Sequence, residues 1–275
     1  MRTPEGLPRR LLTAALLLGA FLAALFLFDR RLFGAAVGLV LVAAAHEWGR
    51  LSGLGPRPAA VYAIAVGVLY ALLAVALESS AQDRRGWLAL ALPFWLVLVP
   101  AWLHAGLARS GRWPLVAAGA LALVVAGLAA MSLTRVQLLL VLGLVWIADA
   151  AAYFAGHAFG RHKLAPRISP GKTWEGVAGA AVGVLIYAII CAWWPGAPLG
   201  APVQGALWLP FLAGAGLLCG AGIVGDLFES ALKRRAGAKD SGSLLPGHGG
   251  VLDRIDSVMP TLPSAAMLLH WMSAP

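Results

Sequence analysis

The chain has 275 residues, of which 60% are hydrophobic and only 12% are charged, and its mean hydropathy is +0.82. This composition excludes an ordinary soluble domain. The formal net charge is +9, but most Lys and Arg lie in short connections between apolar runs, which favours lipid headgroups as neighbours and argues against a nucleic-acid partner.

Nine apolar runs are long enough to cross a bilayer, allowing for tilt. In chain order they cover approximately residues 11–28, 32–48, 59–77, 87–104, 114–131, 136–154, 176–194, 207–226 and 257–272. Backbone groups in hydrocarbon must be satisfied within their own segment, and the connections lack the alternation of barrel strands. The sequence therefore predicts an all-α polytopic membrane protein with about nine transmembrane helices.

The distribution of basic residues predicts the orientation. With a cytoplasmic N-terminus, 16 of the 21 Lys and Arg fall in the inner segments, so the positive-inside rule favours that orientation and an outer C-terminus. We divide the chain into two parts. Residues 1–135 hold about five scaffold helices that face lipid, and residues 136–275 hold about four helices with the cytoplasmic loops of the catalytic site.

Asp149 is a carboxylate near the end of the sixth apolar run. A charge inside hydrocarbon costs about 2.5 to 3.5 kcal/mol on insertion scales, so we expect something to compensate it. Two interpretations stay open. Asp149 is either a metal or substrate ligand that faces the bundle interior, or an interfacial acid that reaches towards water.

The eighth apolar run continues into a polar segment without an obvious break. Asp226, Glu229, Ser230 and Lys233 recur at the spacing i, i+3, i+4, i+7, which places them on one helical face. This polar stripe is a candidate wall of an active site at headgroup level. The alternative is a helix end stabilised by salt bridges.

Glycines and charged residues are concentrated in residues 239–242, 246–250 and 253–257. Glycine clusters let the backbone approach a ligand closely and let N–H groups converge on anionic oxygens. Asp253 and Asp256 are three residues apart, so they can share a helical face and hold a hard cation through oxygen. His248 lies between glycines, and it either contacts a ligand or is a loop histidine without a role.

These segments together resemble the signature of the phosphatidate cytidylyltransferases, also called CDP-diacylglycerol synthases. The resemblance is carried by residues 230–234, 239–240, 245–250 and 253–256, and by 149–156 and 168–176. It covers approximately residues 149 to 257, whereas the earlier helices are similar in hydrophobicity and in the triplet 46–48. Gly171 stands where the family often has a second lysine, and His157 where a basic residue often follows a glycine.

The resemblance implies a reaction in which CTP and phosphatidate give CDP-diacylglycerol and pyrophosphate, with Mg²⁺ as cofactor and one or two ions bound. A phosphate monoester is already largely ionised near pH 7, since its second pKa is about 6, so the attacking oxygen needs no strong base. What the transfer needs is the positioning of two anions that repel each other and the neutralisation of their charge.

We assign roles to the polar residues on this basis. The candidate catalytic residues are Asp226, Asp253, Lys239, Asp240 and His248. The candidate substrate-binding residues are Lys172, Ser230, Lys233, Arg234, Gly249, Gly250 and Arg254. The candidate metal ligands are Asp149, Asp226, Asp253 and Asp256, with Asp226 and Asp253 as the leading pair.

Two rival functions stay open at this point. A transporter of a phosphorylated solute would also use an intramembrane carboxylate and a polar helix stripe, although no inverted repeat is visible. Another CTP-dependent membrane lipid transferase or a lipid kinase would share much of the chemistry. The expected partners are CTP, phosphatidate and the bilayer, with a homodimer by resemblance. The expected location is a bacterial cytoplasmic membrane.

Overall fold

The computed structural model describes residues 6–77, 81–193, 203–245, 247 and 249–272. Within these residues the chain forms a bundle of α-helices. Their bounds are α1 Gly6–Leu27, α2 Arg30–Leu51, α3 Pro56–Ala76, α4 Ala81–Pro93, α5 Val99–Ala105, α6 Arg112–Ser132, α7 Arg135–Phe159, α8 Trp174–Trp193, α9 Trp208–Arg235, α10 Leu252–Ile255 and α11 Val258–Met272.

Each of the nine predicted runs falls on a helical segment. The fourth run consists of α4, a π-helical turn at Phe94–Leu98 and α5, which follow one another without a break. Pro93 and Pro100 lack the N–H groups that a regular α-helix needs there. Among the described residues, seven segments are long and apolar enough to cross a membrane. The last predicted run corresponds to α11, whose 15 residues span about 22 Å. This is shorter than the roughly 20 residues that a membrane-spanning helix needs.

The central helix of the bundle is α6, which is largely buried and contacts α2, α3, α4 and α11. Trp48, near the end of α2, packs against Gly119 of α6. Its indole N–H donates a hydrogen bond to the carbonyl oxygen of Leu115 at 2.8 Å. Since α11 also packs on α6, residues 1–135 and 136–275 contact each other directly.

An aromatic cluster packs around Phe228 of α9. The ring of Phe228 is fully buried, and its centroid lies 5.7 Å from that of Trp48, 6.0 Å from Trp95 and 5.6 Å from Trp102. Large aromatic side chains bury much apolar area, which makes such clusters rigid. The cluster therefore holds the stretch of α9 that carries the polar stripe in a defined position.

The charged helix ends meet at one end of the bundle. Arg235 at the end of α9 donates to the carbonyl oxygen of Ser110 at 2.9 Å, and Arg234 donates to that of Ile168 at 3.2 Å. The hydroxyl of Ser241 lies 2.8 Å from the carboxylate of Glu47 on α2. The segments predicted to be cytoplasmic thus share one polar end, and the side of the membrane that it faces stays a prediction.

One small sheet departs from the expected all-α chain. Strands β1 Lys163–Ala165 and β2 Ser169–Thr173 pair antiparallel, with Lys163 opposite Thr173 and Ala165 opposite Ser169. Strands of three and five residues are too short for a readable alternation of polar and apolar side chains. The hairpin lies between α7 and α8 and contributes to the polar end of the bundle.

Gly225 lies where α9 and α11 are in close contact, so a larger side chain there should lower the stability of the protein. A Cβ there would lie 2.7 Å from Cγ of Pro260 on α11, so we expect Gly225→Ala to force α9 and α11 apart and to destabilise the protein by about 1–3 kcal/mol. Gly220→Ala is the matched control, because nothing lies within 4 Å of its Cβ position. Thermal unfolding in detergent measures both variants, and equal melting temperatures would contradict the prediction.

Candidate active site

A cavity of about 590 Å³ lies between α7, α8, α9, the hairpin and the segment that leads into α11. Its polar end is lined by one lysine and four carboxylates, which come from five separate elements. These residues are Lys172 of β2, Asp149 of α7, Asp226 of α9, Asp253 of α10 and Asp256 between α10 and α11. All four predicted metal ligands therefore line a single cavity.

The other end of the cavity is apolar. Its lining there includes Leu144, Val145, Ala180 and Leu218. Along α7 the lining runs from His157 to Leu144, a distance of about 20 Å at the usual helical rise. The cavity is therefore amphipathic and extends from the polar end of the bundle well into the apolar part.

Lys172 forms an ion pair with Asp226, and about a quarter of each side chain is exposed. The hydroxyl of Ser230, one helical turn further on, donates to Asp226 Oδ1 at 3.3 Å. This ion pair and the contact between Arg234 and Ile168 tie the hairpin to α9. A cation and a carboxylate thus stand together at the wall of the cavity, where an anionic ligand can exchange for one partner of the pair.

The hairpin is fixed at its other side by Thr173. The hydroxyl oxygen of Thr173 accepts the N–H of Gly176 at 3.1 Å, which caps the start of α8. The end of α7 packs against the same side chain, because a Cβ at Gly160 would lie 2.9 Å from Thr173 Cγ2. The local sequence therefore places Lys172 at the mouth of the cavity through a strand that runs directly into α8.

Lys233 lies between two buried carboxylates. Its ammonium forms an ion pair with Glu229, which is fully buried, and lies 2.6 Å from Oδ1 of Asp253. Lys233 is one turn beyond Glu229 on the same face of α9, as the spacing predicts. The ammonium therefore joins α9 to α10 and neutralises charge that would otherwise be buried at high cost.

Asp253 also organises the glycine-rich segment that precedes it. Its Oδ2 accepts the N–H of Ser241 at 2.9 Å and the N–H of Gly250 at 2.8 Å. Burial opposes ionisation of Asp253, but the hydrogen bonds from Lys233, Gly250 and Ser241 outweigh it and lower its pKa to about 2. Asp253 is therefore an anion throughout the neutral range.

The carboxylates of the cavity lie close enough to repel one another. Burial, and then the nearby Asp226 and Asp149, raise the pKa of Asp256 above the ordinary range of an aspartate. The N–H of Ser257 donates to Asp256 Oδ1 at 2.7 Å. A cation bound among these groups would relieve the repulsion, since it would favour their ionised forms.

Other predicted site residues lie outside the lining of this cavity. Among them, Lys239, Asp240, Arg234 and Arg254 are exposed. The remaining ones are Ser230, Lys233, Gly249 and Gly250, which adjoin it through hydrogen bonds, ion pairs or backbone contacts. His248 lies outside the described residues. The roles assigned to all of these residues stay predictions.

The donor chemistry fits a hard divalent cation, because four of the side chains that line the cavity are carboxylates, which supply oxygen ligands. In the described part of the chain no three His, Cys, Asp or Glu side chains form a ready metal cluster. Mg²⁺ is commonly held by one or two carboxylates together with substrate phosphates and water, which agrees with this arrangement. Lysine ammonium groups stand beside Asp226 and Asp253 in the structure.

Glu47 is a buried carboxylate next to the site whose contacts the sequence did not predict. It lies within the second apolar run, and the structure buries it against the glycine-rich segment. The signal that could have found it is the one used for Asp149, since an ionisable residue in a membrane span is by default functional. Because most residues before Glu47 in this run are small or apolar, the run was interpreted as a membrane span.

The fold and the site define a class: a polytopic helical membrane protein with a lysine- and carboxylate-lined cavity at one polar end. The model of the cytidylyltransferase family matches residues 8–272. The chain therefore belongs to the cytidylyltransferase family.

Relatives from several bacteria carry the name phosphatidate cytidylyltransferase. One from Pseudomonas aeruginosa is 42% identical over 272 residues, which cover 96% of this chain and 97% of the relative. One from Haemophilus influenzae is 33% identical and covers 94% and 96% of the two chains. One from Thermotoga maritima is 46% identical over 126 residues, 46% of each chain. The similarity to the first two includes the N-terminal helices, beyond the segment that carries the sequence motifs.

Proposed function

We propose that this protein is a phosphatidate cytidylyltransferase, which converts CTP and phosphatidate into CDP-diacylglycerol and diphosphate. Membership of the cytidylyltransferase family and the names of its relatives support this reaction. The observation that carries the proposal is the amphipathic cavity. One continuous cavity contains Lys172 and the carboxylates at its polar end and apolar side chains at its other end.

The two ends of the cavity suit the two parts of a phospholipid. A phosphate headgroup requires cations, and Lys172 supplies one at the polar end. Acyl chains require apolar surroundings, which Leu144, Val145 and Leu218 supply about 20 Å deeper. A water-soluble phosphorylated solute has no use for the apolar part, so the cavity favours lipid transfer over transport.

The reaction follows from charge and positioning. An ionised oxygen of the lipid phosphate attacks the α-phosphorus of CTP, the bond from that phosphorus to the bridging oxygen breaks, and diphosphate leaves with the electron pair. Lys172 is placed to bind one of the phosphates and reduce the repulsion between the two substrates. No side chain needs to remove a proton, because the attacking oxygen is already deprotonated.

We propose Mg²⁺ as the cofactor, with Asp226 and Asp253 as its leading ligands and Asp149 and Asp256 as further ones. All four side chains line the cavity and supply the oxygen donors that Mg²⁺ prefers. When bound, the ion neutralises charge on the transferred phosphoryl group and the departing diphosphate. Asp253 Oδ2 is occupied by backbone N–H groups, which fixes the orientation of the carboxylate for this task.

We further propose that the polar end faces the cytoplasm of a bacterium, in its inner membrane. The surplus of Lys and Arg in the inner segments supports this orientation, and it gives the site access to cytosolic CTP. Bacterial relatives support the location. A homodimer, implied by the family resemblance, stays part of the proposal.

The direct test uses purified protein in detergent micelles that contain phosphatidate. We expect diphosphate release that requires CTP, phosphatidate and Mg²⁺ together, and that stops when a chelator removes the metal. Diacylglycerol, which lacks the phosphate monoester, serves as the matched lipid control. Release with diacylglycerol in place of phosphatidate would instead indicate another CTP-dependent lipid transferase, and uptake of a phosphorylated solute into liposomes without transfer would indicate a transporter.

A further inference from the structure

Glu47 contacts residues that lie 204 and 205 positions later in the chain. It lies near the end of α2, only 6% of it is exposed, and its two carboxylate oxygens accept hydrogen bonds from the glycine-rich segment. Oε1 accepts the N–H of Val251 at 3.1 Å, and Oε2 accepts the N–H of Leu252 at 2.8 Å. A residue of the N-terminal half therefore fixes the backbone immediately before Asp253.

Ser241 connects Glu47 to Asp253. Its hydroxyl oxygen lies 2.8 Å from Glu47 Oε2 and 2.9 Å from Asp253 Oδ2, and it accepts the N–H of Asp253 at 3.3 Å. A hydroxyl has one hydrogen, so it donates to one of the two carboxylates at a time. Both carboxylates therefore contact Ser241, which lies 12 positions before Asp253 in the chain.

Two glycines in the segment make room for Glu47. A Cβ at Gly242 would lie 2.8 Å from Cδ of Glu47, and a Cβ at Gly250 would lie 2.7 Å from the same atom. Real side chains do not approach so closely. The backbone therefore lies directly on the Glu47 carboxylate at two points, and these glycines serve an internal contact in addition to any contact with a ligand.

We propose that Glu47 is a positioning residue, which holds Ser241, Val251 and Leu252 in place so that Asp253 faces the cavity. It acts through Ser241 and the N–H groups of Val251 and Leu252, and it does not line the cavity itself. When a carboxylate orients a ligating or catalytic group by hydrogen bonding, its mutation typically lowers activity about 10- to 100-fold. The inference rests on the proposed function, because it assigns Asp253 a place in that reaction.

Glu47→Gln is the sharpest variant, since it preserves size and shape. Both oxygens of Glu47 accept a backbone N–H, so an amide NH₂ placed in either orientation would face a donor. We expect kcat to fall about 10- to 100-fold, with the KM for phosphatidate unchanged, because the apolar part of the cavity is untouched. We also expect faster trypsin cleavage after Lys239 or Arg254 in detergent, because Ser241, Val251 and Leu252 lose contacts that hold them on α2.

Asp29→Ala is the matched control, because it should destabilise α2 without touching the contacts of Glu47. Asp29 caps the other end of the same helix by accepting the N–H of Leu32 at 2.8 Å, and it is exposed. We expect this variant to lose stability but to keep the kcat and the tryptic pattern of the natural protein. A kcat for Glu47→Gln within about twofold of the natural value would overturn the proposal, and so would an equal loss of kcat in Asp29→Ala.

The tryptic comparison separates this inference from the proposed function. If the natural protein released no diphosphate but Glu47→Gln still accelerated tryptic cleavage after Lys239 or Arg254, the assigned reaction would be wrong and the positioning contact right. If the natural protein were active and Glu47→Gln equally active, the positioning role alone would be wrong.

Discussion

Asp226→Asn is expected to reduce cytidylyl transfer on the order of 100- to 1,000-fold, the range found when one preorganised electrostatic contact to a transition state is removed. Asp226 pairs with Lys172 at the wall of the cavity and lies beside Asp149 and Asp256. The amide removes the negative charge at nearly constant volume, so both the lysine and a bound Mg²⁺ lose a partner. Diphosphate release per folded molecule measures the loss.

Asp29→Asn is the control for this substitution. Asp29 is exposed at the start of α2, and asparagine is an equally good N-cap, so we expect neither stability nor activity to change. Both variants should elute as folded protein from size exclusion in detergent. Activity of Asp226→Asn close to that of the natural protein would remove Asp226 from the proposed mechanism.

Lys233→Met is expected to destabilise the fold by about 3–5 kcal/mol, the usual cost of breaking a buried ion pair by removing one partner. The ammonium is 14% exposed and lies between Glu229, which is fully buried, and Asp253, which is 8% exposed. Without it, two carboxylates share a buried space with less compensation. A lower melting temperature and a lower yield of folded protein from membranes measure the effect.

A double variant tests the physical cause. Lys233→Met combined with Glu229→Gln removes one positive and one negative charge, so we expect it to recover much of the lost stability. Lys239→Met is the control for stability, because that lysine is exposed and should leave the melting temperature unchanged. An equally large effect of Lys239→Met would show that net charge, and not the buried pair, decides stability.

The lysine contacts suggest how the protein tolerates a cavity rich in carboxylates. Lys172 and Lys233 stand against Asp226 and Asp253 in the structure. Each ammonium offsets part of the repulsion among the acidic groups. In the proposed reaction Lys172 is placed to bind a phosphate, and Asp226 would then be free to help hold a divalent cation, whose positive charge would offset the repulsion among the carboxylates.

The positions of the helices could be predicted well, because a bilayer-spanning helix needs a long apolar run that is visible in the chain itself. All nine predicted runs fall on helical segments, and the boundaries of α6 differ from the predicted 114–131 by no more than two residues. Asp149, Asp226, Asp253 and Asp256 were also identified as a group, and they line one cavity. Carboxylates are conspicuous in a chain with so few charges.

The partners of these carboxylates could not be predicted. The spacing on α9 indicated that Glu229 and Lys233 are neighbours, but nothing along the chain indicated that Lys172 meets Asp226 or that Lys233 also meets Asp253. Local periodicity describes contacts three or four residues apart, whereas these contacts join a hairpin to α9 and α9 to α10. The hairpin itself was missed, because its strands are too short to have a pattern.

The sequence by itself determined that the chain is a helical membrane protein and which acidic residues are candidates for chemistry, since hydrophobic length and the cost of charge in hydrocarbon are properties of single segments. Only the tertiary structure decided that Glu47, about 200 positions before Asp253, supports the segment that carries it. That contact depends on α2 ending beside Ser241, Val251 and Leu252. This placement results from how all the helices pack together, which no single segment encodes.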